Sequence, residues 1–142
     1  MPATPPATHA DYLLDMASDL DRYGLWDGHP NFLDPATGRL DVPAAAFRAT
    51  TGTLPFIFAL PTLDGAEAAR SYIENTPAAM ALLQVIADHL TTVYPHAEWQ
   101  DDVIDRLASW PHLLGVDLAD IPQILRDLAH TLTVTATAPA AA

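Results

Sequence analysis

The residues best suited to chemistry sit close together in one irregular stretch. Trp26, Asp27, His29 and Asp34 all fall within the segment Trp26-Asp27-Gly28-His29-Pro30-Asn31-Phe32-Leu33-Asp34. An aspartate beside a histidine can orient the imidazole as a general acid or base near neutral pH. A tryptophan supplies an apolar wall for a bound molecule. His29 and Asp27 are therefore the candidate catalytic pair. Trp26, Asp27, His29 and Asp34 are the candidate ligand-binding set. The same residues also suit a capped connection, with Asp27 and Asp34 bonding turn amides and Trp26 plugging the core.

Other constellations fall away on spacing. The histidines are His9, His29, His89, His96, His112 and His130, and no two stand three or four apart as helical metal ligands must. HExxH and Glu-x-x-His are both absent. Glu98, Asp101, Asp102 and Asp105 lack the glycine and alternating pattern of a calcium loop and read as a solvated helix face. The chain has no cysteine, which removes disulfides, thiolate catalysis and iron–sulfur clusters. It has no lysine, which removes a P-loop. Ser18, Ser71 and Ser109 fall in predicted helices without an adjacent base. No metal and no cofactor is expected, and the balance leans away from an enzyme.

Six basic against eighteen acidic residues give a net charge of −12. The acid content is ordinary, and the shortfall is on the basic side. Six scattered arginines make no phosphate-binding stripe, so nucleic acid is not an expected partner. Attraction to an anionic membrane is excluded on the same ground, and no apolar run is long enough for a transmembrane helix. The first residues, Met1-Pro-Ala-Thr-Pro-Pro, do not read as a signal peptide, so the expectation is a cytoplasmic protein.

The pattern around these residues is helical. Residues 1–7 and 133–142 read as flexible arm and tail, leaving a single helical domain over 8–132. A helix is predicted over 9–23, capped by Thr8, with Leu13, Met16, Ala17 and Leu20 inward and Asp11, Asp15 and Asp19 outward. Asp34-Pro35-Ala36-Thr37-Gly38 is turn chemistry, and Phe32-Leu33 pairs with Arg39-Leu40 across it in a small turn or hairpin region near 30–41. Asp41 caps a short helix over 42–50. Leu54–Pro61 is expected to be extended. Asp64 caps a helix over 65–75. Thr76-Pro77 opens a helix over 77–93 that is apolar on nearly every side and therefore central. A helix over 97–110 has Trp99, Val103, Leu107 and Trp110 on one face and Asp101, Asp102 and Asp105 facing away. Asp120 caps the last helix, which ends near 132 with Ile121, Ile124, Leu125, Leu128 and Leu132 inward. The sum is an all-α protein, a compact bundle of about six helices.

The segment Asp21-Arg22-Tyr23-Gly24-Leu25-Trp26, followed by Phe32-Leu33-Asp34-Pro35-Ala36-Thr37-Gly38-Arg39-Leu40-Asp41 and the alanine-rich Ala44–Arg48, resembles small proteins of GC-rich bacteria that carry a domain of unknown function. The likeness covers residues 11–60. It implies that residues 21–48 form one structural unit, and it brings no activity with it.

Three functions follow as expectations. The first is a non-enzymatic acidic protein acting through protein–protein contacts, with a partner or with itself as a homodimer. Trp99 and Trp110 are its candidate interface anchors. The second is a small-molecule site or small enzyme in the 24–41 loop. The third is an acidic mimic of nucleic acid, which requires the acids of the first and fifth helices to lie side by side.

Overall fold

The computed structural model describes residues 8–26, 32–60, 62–99 and 101–137. Among these are six α-helices: α1 (His9–Tyr23), α2 (Val42–Thr51), α3 (Leu63–Glu74), α4 (Pro77–Val93), α5 (Val103–Leu114) and α6 (Ile121–Thr137). The all-α bundle expected from periodicity is the observed architecture. α4 is its axis and touches each of the other five helices. Its buried residues, Ala79, Leu82, Leu83, Ile86, Ala87 and Leu90, form one face, while Ala81, Gln84, Asp88, Thr91 and Thr92 are exposed on the other, so the helix is amphipathic and not surrounded as its apolar sequence predicts. α1 packs most extensively on α6, and secondly on α2.

The helix starts explain the boundaries. At α1, Thr8 and Asp11 form a capping box: the Asp11 amide donates to the Thr8 hydroxyl, and the Thr8 amide to the Asp11 carboxylate. Asp11 is thus held at the cap, and Asp19 pairs with Arg48 of α2 at 3.7 Å. Asp41 caps α2 by accepting from the Ala44 amide at 2.9 Å. The cap of α3 is Thr62, whose hydroxyl accepts from the Gly65 amide at 3.0 Å, and not Asp64, which lies in the first helical turn. Thr76 stands at the cap position of α4, but its hydroxyl donates backwards to the Tyr72 carbonyl.

Two helices differ from expectation for identifiable reasons. α5 starts at Val103 because Asp102 accepts from the amides of Ile104 and Asp105, and it continues past Pro111 to Leu114. α6 follows a short 3-10 turn, Leu118–Asp120, which is capped by Asp117. It then runs to Thr137, beyond the expected end near 132. The hydroxyls of Thr131, Thr133 and Thr135 donate to carbonyls one turn back along this extension. The Leu54–Pro61 stretch is not extended: Phe56–Ala59 forms a 3-10 helix. Pro55, with φ of −60°, starts it, and the Phe58 amide donates to the Pro55 carbonyl. This turn drives Phe58 fully into the core, where its ring meets Phe47 at 5.0 Å and Phe32 at 6.2 Å.

Asp102 and Asp105 lie on the outward face as expected, with about half of each side chain exposed, but they are not left to water alone. Both carboxylates bind the Arg70 guanidinium of α3, tying α3 to α5. Arg126 of α6 likewise bonds Asp21 of α1.

Candidate functional site

The 24–41 segment is built around Leu40. Its amide donates to the Gly24 carbonyl at 3.1 Å, and its carbonyl accepts from the Trp26 amide at 2.8 Å. Leu40 forms a parallel bridge with Leu25 and an antiparallel bridge with Leu33. The expected pairing across the Asp34–Gly38 turn is therefore present, with Leu25 added on the far side. Gly24 suits glycine because its φ is +89°, and a Cβ there would in addition crowd the Arg39 side chain at 3.2 Å.

Of the candidate ligand-binding residues, Asp27 and His29 lie outside the described residues. Trp26 is half-buried at the end of the Leu25 bridge. Asp34 is committed to its own turn. Its carboxylate accepts from the Thr37 hydroxyl at 2.5 Å and from the Ala36 amide at 3.1 Å. The Thr37 hydroxyl above all, then the amide bond, hold this carboxyl below the usual carboxylate range. This is the Asx-turn reading of the residue. A cleft of about 370 Å³ does open beside the segment, between Leu20 and Leu25 and the start of α6, with Asp21, Arg39 and Pro122 in its lining. Asp21 already has Arg126 as its partner.

The two interface candidates separate. Trp110 is fully buried and belongs to the core, so it presents nothing to a partner. Its indole Nε1 has no hydrogen-bond acceptor. Trp99 is half-buried, packs against the core, and donates from Nε1 to the Tyr94 carbonyl at 3.3 Å.

That bond braces a site the sequence reading did not single out. Beyond the end of α4, the chain turns at Pro95 and His96 and returns towards α5. A cleft of about 540 Å³ lies here. Val93, Tyr94 and Pro95 line it from the end of α4, Leu113 and Leu114 from the end of α5, and His96, Ala97 and Glu98 from the connection. Val93, Leu113 and Tyr94 remain 51%, 40% and 37% exposed. The turn is held by the Tyr94 carbonyl, which accepts from the Ala97 amide as well as from Trp99. Val93 and Tyr94 do carry a signal in the sequence. They are large apolar residues just before a proline, where the core stripe of α4 has already ended at Leu90.

The chemistry of this cleft is that of binding. Its walls mix hydrocarbon from Val93, Pro95, Leu113 and Leu114 with polar groups, and its titratable groups are His96 and Glu98, beside one phenol, Tyr94. Among the described residues, no group of three histidine or acidic side chains is placed to hold a metal ion. A second exposed apolar area lies on the 3-10 helix and α3, where Phe56 is 76% exposed beside Leu63 and Tyr72. Tyr72 is anchored there by ring contacts to Phe47 and Phe58 at 6.4 Å. No helix among the described residues is long and apolar enough to cross a membrane. No protein-family model, curated protein or solved structure matches this chain.

Proposed function

We propose that this chain is a non-enzymatic protein-interaction module whose contact surface is the cleft between the ends of α4 and α5. One observation carries the reading: Val93, Tyr94 and Leu113 stay partly exposed around a preformed cleft. Each forgoes part of a burial worth up to about 2 kcal/mol. Contiguous exposed apolar surface of this kind marks partner sites. The alternative in the 24–41 loop draws less support, because Asp34 is spent on its turn and Asp21 is paired with Arg126. The mimic reading is weakened as well, since Arg70 sits between Asp102 and Asp105 and offsets one of their two charges.

The test places a photo-reactive phenylalanine analogue at Tyr94, and at Gln84 of α4 as a control, in the cell that makes the protein. The expected result is one discrete protein adduct at position 94, absent at 84, lost when Leu113→Glu is added, and re-formed from the two purified proteins. The absence of any protein adduct above the control at position 94 refutes the reading.

A further inference from the structure

The cleft of about 370 Å³ beside the 24–41 segment shares no lining residue with the one between α4 and α5, so what it binds is independent of the interaction reading above. Its lining is mixed. Leu20, Leu25, Leu118 and Pro122 supply hydrocarbon, and Asp21 and Arg39 supply charge. Its volume falls at the low end for small-molecule sites, about 300–1,000 Å³.

The two charges are not equivalent. Asp21 is bonded to Arg126 of α6, so its charge is offset within the fold. Arg39 is uncommitted. Arg48, Arg70 and Arg126 have carboxylate partners, Arg22 lies over the Tyr23 ring, and Arg106 has an interaction of its own. Among the described residues, the Arg39 guanidinium has no hydrogen bond, ion pair or ring contact. The Asp34 carboxylate feels Arg39 but is bonded to Thr37 and Ala36 instead. In a chain with eighteen acids and six arginines, an arginine without an acid bonded to it departs from what the composition offers.

Arg39 is also braced. The Leu40 amide donates to the Gly24 carbonyl, which fixes residue 39 beside Gly24. Its stem then packs on that glycine so closely that a Cβ there would lie 3.2 Å from Cγ and 3.3 Å from Nε. The stem is held at the cleft while the guanidinium donors stay unused.

The charge count narrows the ligand. A guanidinium fork offers two parallel N–H donors, which match a carboxylate. One uncompensated cation balances one negative charge. A dianion would bring a second charge beside Asp21, into a chain of net charge −12. An organic cation would meet Arg39 itself. We propose that this cleft binds a small organic monocarboxylate, with its carboxylate on the Arg39 fork and its apolar body against Leu20, Leu25, Leu118 and Pro122. The site differs from the loop site expected from the sequence, since Asp34 takes no part.

The probes are hexanoate, benzoate and indole-3-acetate, each beside its neutral amide, with inorganic phosphate as a bare anion. Binding to the intact chain is read by amide NMR shifts up to about 10 mM. At least one carboxylate is expected to give saturable shifts at 24–25, 39–40 and 118–119, with its amide at least about tenfold weaker and phosphate without effect. Arg39→Gln should weaken the carboxylate at least about tenfold. Ala119→Leu, which fills the cleft without changing charge, should weaken it as well. Arg22→Gln removes the same charge from an arginine outside the lining and leaves binding unchanged. Thermal unfolding checks that each variant is folded.

No saturable shift at these positions with any of the three carboxylates overturns the inference. Equal binding of an amide, or of the carboxylate by Arg39→Gln, overturns the role of Arg39 and with it the ligand class. Phosphate giving the same shifts shows a bare anion site and overturns the organic class. Loss in Arg22→Gln equal to that in Arg39→Gln shows general charge attraction and overturns the site.

Discussion

Asp41 offers the sharpest test of how this fold is held together. Its side chain is 6% exposed, and it caps a helix whose first six residues, Val42 to Phe47, are all buried. Water cannot reach the amides at such a helix start, so the cap must come from the chain. The Asp41 carboxylate accepts from the Ala44 amide, the Asp41 amide donates to the Phe32 carbonyl, and the Asp41 carbonyl accepts from the Ala45 amide. Asp41→Ala removes the first bond and leaves a buried amide unmet. A lost cap costs about 1 kcal/mol, and an unmet buried donor about 1–3 kcal/mol. These overlap, so the expected loss is about 2–3 kcal/mol, a drop of about 1–2 M in urea midpoint. Asp41→Asn keeps the acceptor and abolishes the charge. Burial pushes the Asp41 carboxyl well above its ordinary value of 3.8, against the opposing pull of the Ala44 amide. The folded state therefore holds the proton more tightly than the unfolded chain. The associated stability is present below pH 3.8 and is lost as pH rises through the folded value. Urea melts of both variants and the native chain from pH 4 to pH 8 read this directly. The stability of Asp41→Asn relative to native is expected to rise with pH, matching or exceeding native at neutral pH. A loss in Asp41→Asn as large as in Asp41→Ala at neutral pH would refute the reasoning, because it would mean the ionised carboxylate is required.

The other predictions concern single contacts. Gly65→Ala gains helix propensity of about 1 kcal/mol, but its Cβ would lie 2.7 Å from the Leu60 Cβ and 2.8 Å from the Leu60 carbonyl oxygen. Overpacking of about 1–3 kcal/mol prevails, and calorimetry should show a lower melting temperature. Asp102→Ala should destabilise by about 1 kcal/mol more than Asp105→Ala, because Asp102 caps α5 as well as binding Arg70. Burial pushes the Asp102 carboxyl up, but the Asp105 amide and Arg70 outweigh it and hold it below 3.8. Its contribution is therefore present at neutral pH and fades as acid is added, a trend that urea melts below pH 5 would check. Trp110→Phe removes an unmet N–H worth about 1–3 kcal/mol, which offsets its lost volume and keeps stability within about 1 kcal/mol of native, whereas Trp110→Ala loses about 3–5 kcal/mol.

Much of this fold was legible because its determinants are local. The Thr8 and Asp41 caps, the Asp34–Gly38 turn and the α4 stripe each depend on neighbours a few residues apart, and all form where the spacing predicts. What escaped depends on distant partners. Arg70 lies 32 residues from Asp102 and 35 from Asp105, so periodicity placed those acids on the outward face without showing the cation they share. The burial of Trp110, the inward throw of Phe58 and the 3-10 form of Phe56–Ala59 are likewise decided by packing. α6 outran its expected end although threonines are poor helix formers by propensity, and their hydroxyls bond back to the preceding turn instead of ending the helix. Of the candidate site, Asp34 was legible as turn chemistry, Trp99 only as one of a pair with the buried Trp110, and the cleft beside it not at all.

The cleft is a consequence of the same rule that makes α4 central. The apolar face of a helix must be covered along its length, yet the stripe that the neighbours of α4 cover ends at Leu90. Val93 and Tyr94 continue the apolar character beyond the point where the bundle can cover it. Pro95 follows, the chain reverses, and Leu113 and Leu114 arrive from α5 without closing the gap. A chain selected only for stability would place polar residues at Val93 and Leu113, since neither gains full burial. Their apolar character is a departure from fold logic, and such departures point to function. The Phe56, Leu63 and Tyr72 area has a different origin, because Tyr72 is fixed by the rings of Phe47 and Phe58. If the cleft alone is the contact surface, Val93→Ser with Leu113→Ser should cost about 2 kcal/mol, a fall of about 4–8 °C in melting temperature that leaves the chain folded, and abolish the adduct at Tyr94. Phe56→Ser should leave that adduct intact, and its loss in Phe56→Ser would move the contact surface to α3.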